Sequence, residues 1–365
     1  MRKKSAQKKR LAVIDAVSSQ GKDGNAFASQ PGKASMQRQH PLIASDGSNR
    51  RFTYLRLSVT EACNFRCNYC LPEGYCPSTT DAPLSLSEIE TLVQAFALCG
   101  TRKVRITGGE PTLRKDLAQI IQICKQTPGI EKVALTSNGY RLARQLPDYV
   151  NAGLDQLNLS ADSLRPESFR LITGHDKLQQ VLDALQLANR LGMRNTKLNT
   201  VLLKGYNLDQ LEDFFNLVRH EPITLRFIEL MNTGDNTAYY RAHHVAGQSI
   251  MDALKAEGWV QKVRGQDAGP AAEFTHPDYA GNVGFILPYS KNFCASCNRL
   301  RMSSHGKLHP CLFGDEGIDL RPLLKKQNPP AVAEAIHAGL QFKPAGHRLA
   351  EGLTGHTRHL AMLGG

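Results

Sequence analysis

Short β-rich segments alternate with longer amphipathic segments along most of this chain, and that alternation restricts its fold more than any other feature. The pattern predicts strands at 53–59, 103–108, 132–137, 155–161, 196–203 and 224–230. Stretches with helical periodicity follow these strands. Six successive β-then-α units predict parallel strands joined by right-handed crossovers, either as a doubly wound open sheet or as a full or partial barrel. Both architectures place functional residues at the carboxyl ends of the strands.

The chain divides into four predicted segments. Residues 1–45, rich in Ser, Gln, Gly and Lys, form a basic extension that we expect to be disordered. Residues 46–250 hold the α/β units, with Ser87 as the predicted start of the first helix. Residues 251–345 are loop-rich, and residues 346–365 form a tail that ends in Gly-Gly. A length of 365 residues suffices for one large α/β domain and a smaller region.

The net charge of +12 lies mostly on the N-terminal extension. Residues 1–50 hold ten Lys/Arg against three Asp/Glu, a charge of +7, and the other 315 residues carry +5. A solvated basic tail explains this distribution better than a nucleic-acid-binding arm, and a mitochondrial presequence stays open. No apolar run approaches the roughly 18–20 residues of a membrane helix. We therefore expect a cytoplasmic protein that binds neither membrane nor nucleic acid.

Three cysteines, Cys63, Cys67 and Cys70, stand just after the first predicted strand with the spacing C-x3-C-x2-C. Disulfides need pairs, and a closed zinc site needs four ligands. A [4Fe–4S] cluster held by three thiolates keeps one iron open for another ligand. From spacing alone, three-quarters of a zinc site completed by a distant His is the alternative.

The second predicted strand ends in GGEP, residues 108–111. A Gly-Gly pair there lets the backbone approach a ligand closely. Glu110 would face the same mouth, and Tyr69, just before Cys70, could stack on a planar ligand. These features favour a reactive metal centre at the strand ends over a structural zinc site.

A second trio, Cys294, Cys297 and Cys311, has the spacing C-x2-C-x13-C. It indicates a second cluster with its own open iron. A zinc site with His305 or His309 as fourth ligand is the alternative. The other cysteines are expected to be one loop thiol and two small core residues, namely Cys76, Cys99 and Cys124.

Basic residues occur inside several predicted strands, where charges are expensive without a partner. The set comprises Arg56, Lys103, Arg105, Lys197 and Arg226. Two further arginines, Arg299 and Arg301, are two apart in an extended stretch, so they point to one side. Arginine side chains suit phosphate and carbonyl oxygens, so an anionic ligand would supply the missing negative charge. Pairing with Glu110 and Glu229 is the alternative, but two acids do not cover five bases.

The stretch LRLSVTEACNFRCNYCLP, together with the later RITGGEP, resembles the radical S-adenosylmethionine (SAM) enzymes. The resemblance implies an α/β fold, a partial (βα)6 TIM-like barrel whose first cluster binds SAM at its open iron. Electron transfer from the reduced cluster would cleave SAM and release a 5′-deoxyadenosyl radical. The cofactor would supply the difficult chemistry, and the protein would position it.

The C-terminal region narrows this resemblance. The motif C-x2-C-N-R-x-R, followed by G-K-L-x-x-C-L-F and a terminal Gly-Gly, is similar to the GTP 3′,8-cyclase family, which opens molybdenum-cofactor biosynthesis. The similarity runs from about residue 46 to residue 365. It implies two [4Fe–4S] clusters, of which the second binds the guanine of GTP.

The resemblance assigns roles to the matching residues. The cluster ligands would be Cys63, Cys67, Cys70, Cys294, Cys297 and Cys311. The SAM-binding residues would be Tyr69, Gly108, Gly109, Glu110, Ser160 and Met231. The GTP-binding residues would be Arg56, Lys103, Arg105, Thr136, Lys197, Arg226, Arg299 and Arg301. The residues that direct catalysis would be Arg299, Arg301, Gly364 and Gly365, the glycines by threading into a crowded cavity.

The implied reaction begins with abstraction of hydrogen from the ribose 3′ carbon of GTP. The carbon radical adds to carbon 8 of guanine, and reduction and proton transfer give 3′,8-cyclo-7,8-dihydro-GTP. A cyclic pyranopterin monophosphate synthase would take the product onward, and a donor such as flavodoxin or ferredoxin would supply electrons. We expect a monomer or a homodimer.

Three features depart from the family pattern. Glu61-Ala62 replaces the usual acidic-basic pair before the first cysteine, so one positive charge is absent. Cys76 is unusual, and the extension 1–45 lies outside the resemblance. The first two put local loop details in doubt, not the reaction.

Two other classes of function stay open at this point. A zinc-stabilised basic protein that binds nucleic acid would be colourless and bind DNA with a steep salt dependence. Another radical SAM enzyme with an auxiliary cluster would act on a peptide or a different nucleotide, although the NRLR stretch and the terminal Gly-Gly argue against it. A cyclase would be brown and hold about eight irons per chain.

Overall fold

The computed structural model describes residues 43–76, 82–194, 196–265, 268–314 and 317–364. Only residues 43–45 of the predicted N-terminal extension fall within these ranges. Ala44 is buried there, and its N–H donates to the carbonyl of Cys99. The rest of the extension and Gly365 lie outside the described residues.

Six consecutive parallel strands form the centre of the sheet, as the β-then-α pattern predicts. They are β1 (Tyr54–Ser58), β2 (Lys103–Thr107), β3 (Lys132–Ser137), β4 (Gln156–Ser160), β5 (Lys197–Leu202) and β6 (Thr224–Glu229). In β1, Leu55 and Leu57 are fully buried in the apolar core, and Arg56 between them lines a cavity on the other face. This alternation separates a helix-covered face from a polar interior face.

Helices pack against the sheet and against one another. They are α1 (Leu86–Leu98), α2 (Leu117–Gln126), α3 (Leu142–Asn151), α4 (Pro166–Thr173), α5 (Leu178–Arg190), α6 (Leu211–His220), α7 (Thr237–His243), α8 (Gln248–Ala256), α9 (Arg321–Leu324) and α10 (Pro329–Leu340). Single 3₁₀ turns lie at Pro111–Leu113, Leu208–Gln210, Leu349–Glu351 and Leu360–Met362. No helix in the described ranges is long and apolar enough to cross a membrane.

Helix α1 begins after Ser85, and the prediction that Ser87 starts it was wrong. The Ser85 hydroxyl accepts from the Glu88 N–H at 3.3 Å, and the Glu88 carboxylate accepts from the Ser85 N–H at 2.8 Å. Ser85 and Ser87 both have a side chain that favours the start of a helix. Only Ser85 forms the reciprocal pair with Glu88, three residues later, and this pair decides where the helix begins.

The region after residue 250 contains strands that extend the same sheet at both sides. They are β7 (Val260–Gln261), β8 (Ala272–Thr275), β9 (Asn282–Ile286), β10 (Arg299–Met302), β11 (Lys307–His309) and β12 (Ile318–Asp319). Strand β9 pairs in parallel with β6, and β10 pairs in parallel with β1. The twelve strands run in the order β12-β11-β10-β1-β2-β3-β4-β5-β6-β9-β8-β7. The predicted loop-rich region therefore also supplies both flanks of the sheet.

Candidate active site

One cavity is lined by all six cysteines of the two trios. Cys63, Cys67 and Cys70 follow the carboxyl end of β1. Cys297 lies two residues before the amino end of β10, a strand parallel to β1, and Cys311 follows β11, which is antiparallel to β10. The two trios therefore approach the cavity from opposite ends of the parallel strands, and strand residues form the wall between them.

The first trio offers three partly buried thiols. Burial raises the pKa of Cys63 to about 11 and that of Cys70 to about 12. Backbone N–H groups of Leu360 and Ala361, from the C-terminal tail, donate to the Cys70 sulfur. Such thiols become ligands when a metal withdraws their protons. Three soft sulfur donors on one short loop fit a cluster that leaves one iron open.

The second trio has cations beside it. Burial alone would raise the pKa of Cys297, but Arg299 and Lys343 outweigh it and lower that pKa to about 7. Burial raises the pKa of Cys311. The Lys343 ammonium donates to the Pro310 carbonyl, next to Cys311. This donor set also fits a cluster, because positive charge favours the thiolate form.

The zinc alternatives depend on a histidine as fourth ligand. Among the described residues, no group of three or more His, Cys, Asp or Glu is placed to hold a metal ion, and this applies to the cysteine trios as much as to a zinc site. His305 and His309, the candidate fourth ligands, are not among the residues that line the cavity. His305 instead lies with its Nε2 atom 3.7 Å from the Glu61 carboxylate.

Gly108 and Gly109 line the cavity, and their close contacts are with the loop that carries the first trio. A Cβ at Gly108 would lie 2.2 Å from the Thr60 carbonyl, and one at Gly109 would lie 2.3 Å from the Ala62 carbonyl. Gly108 also has a φ of 146°. The two glycines therefore let this loop pack against the end of β2, in addition to opening space for a ligand.

Glu110 does not face the cavity mouth, contrary to the expectation from the sequence. One carboxylate oxygen accepts from the Thr112 N–H and hydroxyl and from the Ser137 hydroxyl at 2.8 Å. The other accepts from the Asn138 N–H at 2.6 Å. The side chain is fully buried and is not among the lining residues. Its observed contacts join the ends of β2 and β3, so it supports the loops around the site.

The other predicted SAM-binding residues line the end of the cavity near the first trio. Tyr69, Ser160 and Met231 come from three different segments. The Tyr69 hydroxyl donates to the Asp162 carboxylate at 2.9 Å. Burial raises the pKa of Asp162 to about 6. The sequence reasoning missed Asp162, which fixes the orientation of Tyr69.

Three neighbouring strands place most of the predicted GTP-binding residues in two rows across the cavity wall. These charged rows consist of Arg299, Tyr54 and Lys103, and of Arg301, Arg56 and Arg105, with register partners on β10, β1 and β2. All six side chains line the cavity. Parallel pairing in register keeps side chains that share a row on the same face.

The crowding of positive charge shifts the pKa values within the rows. Burial alone would raise the pKa of Tyr54, but Arg105, Arg56 and Lys103 outweigh it and lower that pKa to about 7. Burial lowers the pKa of Lys103 to about 8. The pKa of Arg301 falls to about 10, mainly because the side chain is buried and next because of the nearby charge of Arg299. An anion between these side chains would relieve the repulsion.

Internal acids neutralise little of this charge. Arg226 pairs with Glu273 at 2.6 Å, an acid that the sequence reasoning did not consider. Glu229 instead meets His244 at 2.8 Å. The alternative in which Glu110 and Glu229 pair with the strand cations was therefore wrong. The partner of Lys103 is a neutral amide, because its ammonium group donates to the Gln156 side-chain oxygen at 2.6 Å.

Thr136 lines the cavity beside these rows, but Lys197 is not among the lining residues. Lys197 starts β5 and is the register partner of Asn158 and Thr224. Burial, then Arg226, lowers its pKa to about 7. Because register partners share a face, Lys197 lies on the interior side of the sheet beside Asn158, although it does not line the cavity. Its predicted contact with GTP stays a prediction.

The C-terminal tail reaches the charged rows. The Gly364 carbonyl accepts from Arg56 at 3.0 Å and from Arg301 at 2.8 Å. A Cβ at Gly364 would lie 2.2 Å from the Thr107 hydroxyl, and its φ is 66°. The position therefore needs glycine for both packing and backbone conformation. Gly365, the other predicted tail residue, lies outside the described residues.

Several lining residues carried no local signal in the sequence. They are Tyr54, Asn158, Asn199, Phe293, Lys343 and His347. For Tyr54 alone, the basic residues of the neighbouring strands indicate a place at the site, because its register partners Arg299 and Lys103 put a cation on either side of it. Lys343 and His347 meet the second trio only through the tertiary fold.

Comparison with known proteins defines the class first. Residues 57–218 match the family model of the radical SAM superfamily, and residues 223–349 match the model called Molybdenum Cofactor Synthesis C. The solved structure of Streptococcus suis SuiB bound to S-adenosylmethionine aligns with a TM-score of 0.58 at 14% identity, over 85% of this chain and 76% of SuiB. The chain is thus a radical SAM protein, a class that uses SAM and an iron–sulfur cluster.

Curated relatives then define the family. The GTP 3′,8-cyclase of Aeromonas hydrophila is 52% identical over 326 residues, which cover 88% of this chain and 95% of the relative. That of Vibrio vulnificus strain YJ016 is 51% identical over 324 residues, which cover 88% of this chain and 97% of the relative. The chain belongs to the GTP 3′,8-cyclase family.

Proposed function

We propose that this chain converts GTP into 3′,8-cyclo-7,8-dihydro-GTP, the first step of molybdenum cofactor biosynthesis. The observation that carries the proposal is that both cysteine trios line one cavity, with the charged rows on the wall between them. Relatives with this activity in their names match across 88% of the chain, which supports the same assignment.

Cys63, Cys67 and Cys70 would hold a [4Fe–4S] cluster that binds SAM, and Cys294, Cys297 and Cys311 would hold a second cluster on the side where the guanine of GTP would bind. When bound, the first cluster and SAM supply the 5′-deoxyadenosyl radical that abstracts hydrogen from the ribose 3′ carbon. The chain's own residues hold the two small molecules in one water-poor space, which keeps the radical from side reactions.

The charged rows bind the triphosphate. Arg299 lies beside the second trio, because its strand begins two residues after Cys297 and its guanidinium is 4.0 Å from the Cys297 sulfur, and Arg301 follows it on the same strand. Guanidinium groups suit phosphate and carbonyl oxygens through paired donors. Gly364 lies between Arg56 and Arg301, so the tail and the substrate share the same arginines. A tail at this position limits the poses that GTP adopts and so directs where the radical reacts.

Several parts of the proposal concern partners. A flavodoxin- or ferredoxin-type donor supplies the electron for the first cluster. The cyclised nucleotide is passed to a cyclic pyranopterin monophosphate synthase. The chain acts as a monomer or homodimer.

The test is product analysis after anaerobic incubation of the iron-reconstituted full chain with SAM, dithionite and GTP. We expect 5′-deoxyadenosine and 3′,8-cyclo-7,8-dihydro-GTP to appear together, and the nucleotide product to vanish without SAM. Formation of 5′-deoxyadenosine with unchanged GTP would refute the proposal and leave a radical SAM enzyme with another substrate.

A further inference from the structure

The loop that carries the first trio reaches the protein surface beside the end of helix α4. Arg66 lies between Cys63 and Cys67 in this loop, and its side chain is exposed. Its N–H donates to the carbonyl of Thr173, the last residue of α4, at 3.0 Å. The surface around Arg66 therefore belongs to the same short loop as the first trio.

Three packed rings connect this surface with the cavity. Phe65 lines the cavity and stacks on His175 at a centroid distance of 5.2 Å. It also packs against Tyr140 at 6.1 Å. Phe65 is buried, whereas His175 and Tyr140 are half-buried. The rings therefore lead from the exterior to a residue that stands between two cysteines of the first trio.

Cations surround these rings on the outside. The Arg141 guanidinium lies 5.7 Å and the Lys177 ammonium 5.5 Å from the centroid of the Tyr140 ring. The converging segments 64–70, 138–147 and 170–177 contain a single acid, Asp176. We call their five basic residues the basic patch, namely Arg66, Arg141, Arg144, Arg170 and Lys177. Lys177 is half-buried, and the other four are exposed.

The charge of the basic patch is not neutralised by its surroundings. Among the described residues, none of the five cations forms an ion pair with a carboxylate. Burial, and next the charges of Arg66 and Lys177, lower the pKa of His175, so both cations face that ring. Arg141 and Lys177 also directly precede helices α3 and α5, whose N-termini add partial positive charge. The patch therefore suits an acidic partner.

The position of the basic patch selects the kind of partner. Each cleavage of SAM requires one electron at the first trio. Because electron transfer weakens steeply with distance, a protein that delivers this electron must dock close to the loop of the first trio. Redox partners form small, transient interfaces that depend on complementary charge. Leu171, 55% exposed within one of the three segments, adds an apolar contact for such an interface.

We propose that the basic patch is the docking surface of an acidic one-electron carrier protein. The carrier is oxidised by one electron, the oxidised cluster of the first trio is reduced by the same electron, and no atom passes between the two proteins. The inference rests on the proposed function, because it takes a protein as the electron donor.

The experiment uses flavodoxin as the probe and the iron-reconstituted full chain under anaerobic conditions. One arm measures the dissociation constant of oxidised flavodoxin at low and high salt, without turnover. The other arm measures the initial rate of 5′-deoxyadenosine formation with SAM and GTP, and with either flavodoxin hydroquinone or dithionite as the reductant. The test variant is Arg141→Glu/Lys177→Glu, because a glutamate at a helix N-terminus favours the helix.

Two control variants separate the charge at this place from other effects. Arg141→Lys/Lys177→Arg keeps both positive charges. Lys325→Glu/Lys326→Glu changes the net charge by the same amount at two exposed lysines. These lysines directly follow helix α9, which packs against α1 and α10 and not against the three segments of the patch.

We expect the test variant to bind flavodoxin at least about tenfold more weakly at low salt and to lose most of the salt dependence of the wild type. Its rate with flavodoxin hydroquinone should fall by a similar factor. Its rate with dithionite should stay at the wild-type value, because a small reductant needs no docking surface. Both control variants should behave as the wild type in every arm.

Four results would overturn the inference. Unchanged flavodoxin binding in the test variant would place the docking surface elsewhere, and an equal fall of the rate with dithionite would show damage to the cluster site. An equal loss in Lys325→Glu/Lys326→Glu would show that net charge alone matters. Wild-type binding to a DNA oligonucleotide that is tighter than to flavodoxin, and is lost in the test variant, would assign the patch to nucleic acid.

The same experiment separates this inference from the proposed function. Formation of 5′-deoxyadenosine that depends on the basic patch, with GTP left unchanged, would contradict the proposed function and leave the docking surface standing. Cyclised nucleotide formed with dithionite, together with no effect of the test variant on flavodoxin, would have the opposite meaning.

Discussion

Arg56 of β1 lies directly beside Arg301 of β10 in the parallel register, and both guanidinium groups donate to the carbonyl oxygen of Gly364. Two buried cations share one neutral acceptor, although like charges at this separation repel. Burial, then Arg301, lowers the pKa of Arg56 well below its ordinary value. The arginine pair would therefore be stabilised by a bound anion. The same two side chains that would bind this anion also hold the C-terminal tail.

Removal of one of these arginines should weaken nucleotide binding. We expect Arg301→Ala to weaken GTP binding about tenfold to a hundredfold, the usual loss for a buried charge-assisted hydrogen bond. Anaerobic equilibrium binding measures the loss. Arg102→Ala is the control, because Arg102 forms a surface ion pair with Glu131, away from the cavity. Equal affinities for the two variants would show that Arg301 does not contact the nucleotide.

A methyl group at Gly364 should displace the tail. In Gly364→Ala the new Cβ would lie 2.2 Å from the Thr107 hydroxyl and also strain a φ of 66°. We expect the ratio of cyclised nucleotide to 5′-deoxyadenosine to fall at least about tenfold, because the tail would no longer limit the pose of GTP. Chromatography of both products gives the ratio.

The control for that variant separates packing from backbone strain. Gly352 has a similar φ of 73°, but a Cβ there meets nothing within 4 Å. Gly352→Ala should therefore keep the wild-type product ratio. A fall of the same size in both variants would assign the effect to strain in the tail, not to its contact with Thr107.

Tyr54 should make stability depend on pH. Its pKa falls from 10.0 to about 7, because the neighbouring cations stabilise the phenolate and outweigh burial. The stabilisation is complete above pH 10 and is lost as the pH falls through 7. The difference in unfolding free energy between wild type and Tyr54→Phe should therefore be larger at about pH 9 than at about pH 6.

Denaturant titration of the iron-free chain at both pH values measures this difference. Tyr149→Phe is the control, because burial raises the pKa of that tyrosine and it stays protonated across the range. A Tyr54 difference that does not change with pH would mean that the phenol keeps its proton among the charged rows. Added GTP should reduce the pH dependence, since its phosphates neutralise the same cations.

Glu110 should matter more for stability than for direct contact with SAM. Glu110→Ala leaves donors of Thr112, Ser137 and Asn138 without their acceptor, which should cost about 3 kcal/mol of unfolding free energy. Denaturant unfolding of the iron-free chain measures it, with the exposed Glu90→Ala as control. Unchanged stability with weakened SAM binding would restore the direct contact that the sequence suggests.

The central sheet could be predicted because its signals are local. Strands β1 to β6 have buried apolar residues at regular spacing, and helices follow at predictable distances. The two cysteine trios and GGEP also stand at strand ends, where parallel folds place their sites. Both kinds of signal can be recognised in the amino-acid sequence without knowledge of the three-dimensional structure.

The remaining parts depend on contacts between distant segments. Strands β7 and β12 have two residues each, which is too short for an alternation of apolar and polar residues to be recognised in the sequence. The charged rows exist because β10 pairs in register with β1, although more than two hundred residues separate Arg301 from Arg56. The side-chain partners of Glu110 and the approach of Lys343 to the second trio likewise come from tertiary packing.

The most direct test of the account is iron analysis and electron paramagnetic resonance on two triple variants of the full chain. Cys63→Ser/Cys67→Ser/Cys70→Ser should keep about four irons, and GTP but not SAM should change the spectrum of the reduced cluster. Cys294→Ser/Cys297→Ser/Cys311→Ser should also keep about four irons, with a spectrum that responds to SAM. A second trio that binds no iron, or whose signal ignores GTP, would contradict the claim that two clusters serve one cavity.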